Sequence, residues 1–343
     1  MKIKPHIHNG RFYNHADDSI LSRVKNTIKT IWLIALQRLS GKGNKKALVG
    51  KANLKSWSTI PTLSPRSDQL VITWLGHATF LIQVNGFNIL TDPLFFELSR
   101  FANRFIDAPL TPEQLPPIDA VIISHNHADH VDEKSLAALK NQQPAMHVPL
   151  GNKQWFVARG FTNVTEMNWW DEVVLDHNSQ QLKLTFLPAS HWTSRGLFDI
   201  NKSLWGSWMI SSNQQNVYFA GDTAYDKHFK AIKKHFPSID VALMPIGPNE
   251  PRELMHDSHM SSEESVEAFL DLDAQHFIPM HWGTFMFALD TFIEPIERLV
   301  SNWEHQKKLL VDKTLHVIKC GESKQFGIPQ VSVVKPDQPQ ITE

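Results

Sequence analysis

ISHNHADHVD, residues 123–132, ends the apolar run Ala120-Val121-Ile122-Ile123 with four metal-competent side chains in six positions: His125, His127, Asp129 and His130. In an extended segment side chains alternate, so His125 and His127 point to one side and can share an ion. Asp129 and His130 fall in the turn beyond and can reach a second ion. Imidazole and carboxylate without thiolate suit zinc, iron or manganese. A lone histidine in such a turn is usually structural; the pattern HxHxDH is not explained that way.

One motif cannot fill two coordination shells, so further ligands should sit at other strand ends. Pro188-Ala189-Ser190-His191-Trp192 follows the strand-like run Leu182 to Leu187. Tyr218-Phe219-Ala220-Gly221-Asp222-Thr223 ends an apolar strand in Gly-Asp, and Phe277-Ile278-Pro279-Met280-His281 ends one in His. Singly, each also reads as a capping Asp or a hydrogen-bonded turn His. Together, in this order, they point to a shared centre.

The surrounding chain has 343 residues, 42% hydrophobic and 20% charged, enough for a large core in one big domain or two ordinary ones. Its formal net charge of -1 gives no global attraction for nucleic acid. The single Cys, Cys320, excludes an internal disulfide and a thiolate zinc site. Met1-Lys2-Ile3-Lys4 is followed by Pro5-His6-Ile7-His8-Asn9 rather than an apolar stretch, so no signal peptide is expected. No run approaches the roughly 18 apolar residues that span a bilayer. A cytoplasmic location, with contact at the inner membrane surface as an option, is the expectation.

Residues 1–69 read as an N-terminal extension, 70–330 as the main domain and 331–343 as a tail. Within the extension, Ile20, Val24, Ile28, Ile31, Trp32, Ala35 and Leu39 recur with helical period. Lys25, Lys29, Arg38, Lys42, Lys45 and Lys46 lie among or after them. Either this helix packs on the main domain, the preferred reading, or it rests on anionic lipid. From Gln69 onward the texture changes. Leu70 to Leu75, Thr79 to Val84 and Phe87 to Leu90 read as strands, with Asn85-Gly86 as a hairpin turn. Later strands alternate with helical patterns at Glu133 to Asn141, Gly151 to Arg159, Ala224 to Phe236, Ser261 to Leu270 and Ile293 to Gln306. Ser261-Ser262-Glu263-Glu264 offers a capping box. The mixture suggests sheet packed on sheet with helices outside.

Whole phrases go further: VITWLGHATFLIQ, LTDPLF, LPPIDAVIISHNHADHVD, LWGSW, FAGDTAYD, MPIGPNEPR and MHWGTF. Over roughly residues 70 to 327 the chain resembles the metallo-β-lactamase superfamily and, within it, the phospholipases D that hydrolyse N-acylphosphatidylethanolamine. The resemblance implies an α+β fold, the αββα sandwich, with two divalent metal ions at the edge between its sheets; zinc is the first choice and iron or manganese the alternatives. It implies that His125, His127 and His191 hold one ion, that Asp129, His130 and His281 hold the other, and that Asp222 bridges them. Asp92 would orient a ligand histidine from outside the ligand set, and His77 would face the margin of the site. His259, before the Ser261 helix, would approach the metals and the substrate head group; a solvated loop histidine is the alternative.

Two such ions lower the pKa of shared water and so supply hydroxide near neutral pH. Asp129, with His259 the second candidate catalytic residue, would pass the nucleophile's proton to the leaving alkoxide. The implied reaction converts N-acylphosphatidylethanolamine-like lipids to N-acylethanolamine and phosphatidic acid. A lactone or another ester is the alternative substrate class, and an idle metal-binding protein the alternative outside enzymes. Trp192, Leu197, Phe198, Trp282, Phe285, Met286 and Phe287 suit an acyl-lined groove, and equally a core. No nucleic-acid partner is expected; the oligomeric state is open, a homodimer included.

Overall fold

The computed structural model describes residues 2–15, 18–40, 48–50, 52–98, 104–196, 198–212 and 215–327. The 331–343 tail and Lys42, Lys45, Lys46 and Leu197 lie outside them, as does the side chain of Arg38.

Two seven-stranded sheets face each other. The first holds β3 (Leu70–Gly76), β4 (Thr79–Val84), β5 (Phe87–Thr91), β6 (Ala120–Ile122), β7 (Ala145–Pro149), β8 (Val164–Met167) and, at its far edge, β16 (Ser323–Phe326). The second holds β9 (Glu172–His177), β10 (Gln180–Leu187), β11 (Ser207–Ser211), β12 (Asn216–Phe219), β13 (Ile239–Pro245), β14 (Ala274–Met280) and β15 (Thr314–Leu315). Each sheet is antiparallel in one half and parallel in the other.

The alternation of side chains explains why the strands read as near-continuous apolar runs. Phe80, Ile82 and Val84 of β4 join the core between the sheets, while Leu81 joins a second core outside. Ala120 and Ile122 of β6 point inward, and Val121 points out with Ile123. Both faces are dry, so neither needs polar residues. The outer core is closed by α2 (Glu133–Leu139), through Leu136 and Leu139, and α3 (Lys153–Val157), through Phe156. On the other sheet, α4 (His228–His235), α6 (Ser262–Leu272) and α7 (Glu294–His305) supply Phe229, Val266, Phe269 and Leu299. The short α5 (Arg252–Met255) precedes α6, which starts with the expected capping box of Ser261 and Glu264. Asn85 and Gly86 both take positive φ, 55° and 79°, as a two-residue hairpin turn requires.

The N-terminal extension is partly woven into this body. The hairpin β1 (His6–His8) and β2 (Arg11–Tyr13) inserts Phe12 into the main hydrophobic core, and Leu48 joins it there. Helix α1 (Ile20–Leu39) corrects the packed reading. The face expected to pack is exposed: Ile28, Ile31, Trp32 and Leu39 keep 62%, 62%, 58% and 84% of their surface. The helix instead leans on the domain through Leu33, which joins a small cluster of Leu254, Met255 and Ala288. Gln37 adds one bond to the Leu289 carbonyl.

Gly221 shows how closely the sheets approach near the motif. Its φ is +59°, and an added Cβ would lie 2.5 Å from the Cβ of Ser124 and 3.1 Å from the Gly206 carbonyl. Gly86→Ala, which violates φ alone, should cost roughly 1–2 kcal/mol. Gly221→Ala adds an overlap with the Ser124 side chain and should cost a further 1–3 kcal/mol or so. Urea denaturation of the two variants compares them; equal costs would mean that Ser124 yields freely.

Candidate metal centre

The loops that converge at one end of the sandwich carry every candidate ligand. The loop after β6 brings His125, His127, Asp129 and His130; the β10–β11 connection brings His191; the turn after β12 brings Asp222; the turn after β14 brings His281. The last residue of the motif, Asp132, does other work: it caps α2 by accepting from Ser135 N at 2.9 Å.

Four overlapping groups of ligand atoms form, each with its members within 4.8 Å of one another: Asp92 with His125 and His130, Asp222 with His191 and His259, and two that follow the expected division into two ion sites. In the first of these two, His127 Nδ1 lies 2.9 Å from His125 Nε2 and 3.3 Å from His191 Nε2. The second gathers Asp129, His130, His281 and also His77. His77 Nε2 is 3.1 Å from Asp129 Oδ2, so this ring sits inside the group, not at its margin. Asp222 faces both groups. Its Oδ2 lies 3.1 Å from His281 Nε2, 3.3 Å from His130 Nε2 and 3.9 Å from the Nε2 atoms of His125 and His191.

Four of the rings, His125, His130, His191 and His281, are aimed from behind. His130 Nδ1 lies 2.8 Å from Asp92, His191 Nδ1 2.7 Å from the Ser258 carbonyl and His281 Nδ1 3.1 Å from the Gly247 carbonyl. A carbonyl accepts only, so the Nδ1 of His191 and of His281 carries the proton; in the neutral rings this leaves the Nε2 lone pair facing the centre. Asp92 also accepts from Ser124 N and Ser124 Oγ, at 2.8 and 2.5 Å, and Ser124 Oγ in turn lies 2.9 Å from His125 Nδ1. One buried carboxylate thus aims rings of both groups. Sequence reading missed Ser124, although it stands inside the motif, and missed the two backbone carbonyls, which carry no residue-type signal. His77, Asp92 and His281 all take positive φ, 53°, 30° and 58°. Such conformations cost free energy in non-glycine residues and gather at functional sites.

The electrostatics suit cations. Burial, then neighbouring imidazoles, hold His125 well below the usual histidine range. Burial likewise takes His127 to about 4 and His77 to about 3. For Asp129 and Asp222 burial works against ionisation, but the adjacent His130 and other imidazoles outweigh it and keep both carboxyls well below their usual range. Burial also opposes charge on His130 and His281; there Asp222 and Asp129 prevail, raising His130 well above its ordinary value and His281 to about 9. Two ionised carboxylates therefore demand positive charge at this spot. Four atoms at its centre, His130 Nε2, His259 Nδ1, His281 Nε2 and Asp222 Oδ1, are buried without a hydrogen-bond partner. Ring nitrogens that converge on an orphaned carboxylate oxygen fit divalent metal ions, which would take the place of the protons that His130 and His281 otherwise hold.

His259 completes the wall. Its side chain is 16% exposed, with Nδ1 3.8 Å from Asp222 Oδ2, so it is not a solvated loop histidine. Cys320 lies apart, its thiol pushed up to about 12 by burial, and offers no nucleophile.

The paired sheets, helical cover and histidine–aspartate cluster define a metallo-β-lactamase-type hydrolase. The beta-lactamase superfamily domain matches residues 87–282. An N-acyl-phosphatidylethanolamine-hydrolyzing phospholipase D from Caenorhabditis elegans is 34% identical over 285 residues, 77% of this chain and 80% of its own length. A mitochondrial phospholipase D of the same description from Saccharomyces cerevisiae is 35% identical over 66% of this chain, which spans 50% of that protein. Among solved structures, the metallo hydrolase Igni18 from Ignicoccus hospitalis shares the fold at a TM-score of 0.59 and 23% identity, over 76% of this chain and 99% of that one. The chain belongs to the metallo-β-lactamase superfamily, as a metal-dependent hydrolase close to the N-acylphosphatidylethanolamine-hydrolysing phospholipases D.

Asp222→Ala removes the carboxylate that faces both groups, so metal content after loading and dialysis should fall below that of the native chain. Full stoichiometry would take Asp222 out of the ligand set. Asp92→Asn acts from behind and should weaken metal affinity by about 10- to 100-fold, measured against a chromophoric chelator.

Proposed function

We propose that this chain hydrolyses the phosphodiester of a lipid, with N-acylphosphatidylethanolamine the first substrate to test and N-acylethanolamine and phosphatidic acid the products. The observation that carries the reading is a cavity of about 1000 Å³ that joins the metal centre to apolar walls. His127, Asp129, Asp222, His259 and His281 line one end. Trp192, Met255, Met286 and Phe287 line it from the domain, and Ile31, Ile34 and Leu39 from α1. A small polar ester would need no such walls; an acyl chain does. Of the other aromatic candidates, Trp282 stacks on Trp74 at 5.6 Å in the core, and Phe198 is 81% exposed.

His125, His127 and His191 would hold one ion and Asp129, His130 and His281 the other, with Asp222 between. Divalent ions bound there acidify water and take up charge on a phosphoryl oxygen. Water then adds to phosphorus as the bond to the ethanolamine oxygen breaks. Asp129, held ionised, accepts the proton of the attacking water and returns it to the leaving alkoxide. The neutral His259 ring, taken to about 3 by burial, orients the head group from the cavity wall. His259→Ala should keep its metal and lose turnover on the lipid; unchanged kinetics would remove the head-group role. A panel of N-acylphosphatidylethanolamine, a soluble diester and lactones, run with metal-loaded protein and with Asp222→Asn, tests the substrate class. Turnover of lactones alone would overturn the phosphodiesterase reading.

Substrate access follows from α1. Among the described residues no helix is long and apolar enough to cross a membrane, but α1 turns Leu21, Ile28, Trp32 and Leu36 to solvent. Ile31 and Leu39 are both exposed and part of the cavity lining, so the apolar stripe continues into the site. On this reading the enzyme rests peripherally on the inner membrane surface, with Lys25 and Lys29 beside anionic head groups. Each such lysine contributes about 1 kcal/mol at low screening. Binding to anionic vesicles should weaken with salt and with Trp32→Glu, while hydrolysis of the soluble diester persists. If Trp32→Glu unfolds the protein, the stripe is part of the core after all.

A further inference from the structure

We propose that Asn14, on the N-terminal segment and outside the part of the chain that matches the superfamily domain, is a positioning residue for the metal centre: its carboxamide fixes the backbone of His191.

His191 lies past the end of β10, where the chain leaves the sheet. Its peptide groups therefore have no ladder to join, and a buried peptide group left unpaired costs about as much as a lost hydrogen bond. Both are met by one side chain, 177 residues away. Asn14 Nδ2 donates to the His191 carbonyl at 2.9 Å, and His191 N donates to Asn14 Oδ1 at 3.1 Å. A primary amide offers donor and acceptor in one plane, so it mimics a strand partner; neither a hydroxyl nor a carboxylate supplies both in that geometry. The same Oδ1 accepts from Trp205 Nε1 at 3.0 Å, which locks the amide orientation. The imidazole of His191 is held at its other end by the Ser258 carbonyl. With backbone and Nδ1 both fixed, Nε2 has one direction left, toward His127 and Asp222.

Asn14 is itself anchored. Phe12 lies in the main hydrophobic core and donates its N–H to the Asn201 carbonyl at 2.8 Å. Asp18 Oδ2 accepts from Asn14 N at 3.0 Å and from Arg23 of α1 at 3.2 Å. The neighbouring His15 reaches Asp226, on the turn that follows Asp222, at 3.2 Å. The segment thus holds the two loops that carry His191 and Asp222. The inference does not depend on which substrate the site takes.

The test is metal affinity, read without turnover. Native chain, Asn14→Ala, Asn14→Asp and Arg11→Ala are titrated with Zn2+ against a chromophoric chelator, and the Co2+-loaded forms are compared by visible absorption. Arg11 holds the same segment, through the Ile200 and Phe198 carbonyls, without touching His191. Asn14→Ala is expected to weaken one of the two binding events by about 10- to 100-fold, the range for groups that orient a ligand, to change the Co2+ spectrum, and to leave the other event alone. Arg11→Ala should bind as the native chain does. Asn14→Asp keeps an acceptor for His191 N and Trp205 but sets an oxygen against the His191 carbonyl, so it should fold and still bind more weakly. Native affinity in folded Asn14→Ala or Asn14→Asp overturns the proposal, as does an equal loss in Arg11→Ala, which would make the segment a general brace. If Asn14→Ala does not fold, Asn14→Asp decides.

Discussion

The buried carboxylate of Asp222 is the constraint around which this end of the molecule is organised. An ionised carboxylate taken out of water is costly unless opposite charge and hydrogen bonds surround it. Here the surroundings are imidazoles: His130 and His281 within 3.3 Å, His125, His191 and His259 within 3.9 Å. Each ring comes from a different loop or a different place on a loop, so the requirement of one side chain fixes the relative position of four strand ends. The large core between the sheets supplies the rigidity that such a gathering of polar groups lacks by itself. The close contact of Gly221 with Ser124 shows the two halves meeting with no space for even a methyl group.

Much of this was legible in the sequence, for a definite reason. Strands buried on both faces leave unbroken apolar runs, and a polar cluster directly after such a run stands out. So β3 to β6, β10, β12 and β14 read correctly, and the HxHxDH turn, His191, Asp222 and His281 all fall where strand ends were expected. What escaped notice lacks that contrast, apart from β7, where AMHVP is mostly buried but is broken by His147 and ends in Pro149; β8, VTEM, carries no apolar run. β9 alternates exposed and half-buried residues along EVVLDH, and β16 is an edge strand of SKQF; neither carries an apolar run. The membership of His77 escaped because it depends on a positive-φ turn between β3 and β4. The face of α1 was misjudged because helical periodicity identifies an apolar stripe without saying what it meets.

That stripe and Asn14 belong to the same stretch of chain, and together they change how the N-terminal segment is understood. Periodicity and composition separate residues 1–69 from the domain, yet three physical links bind them to the site. Phe12 is core; Asn14 pairs with the backbone of His191; and α1 forms one wall of the cavity that ends at Asp222. Helix α1 itself is held lightly, by Leu33 in a small apolar cluster and by single polar contacts. Elements held by few buried contacts are those that open at low free-energy cost.

On the proposed reading, a rigid clamp and a lightly held wall in one segment divide the labour that an interfacial hydrolase would need. The ligand geometry has to be fixed before substrate arrives, because an ångström of error in a metal site is expensive. A wall that faces the proposed acyl chain would have to admit and release it. Asn14, anchored by the core through Phe12, serves the first demand; α1, anchored by little and apolar on its outer face, serves the second. Asp18 joins the two, since its carboxylate accepts from the clamp on one side and from Arg23 on the other. Whatever covers the exposed stripe of α1 therefore lies only a few hydrogen bonds from the backbone of His191, along a path made entirely of this chain's own residues.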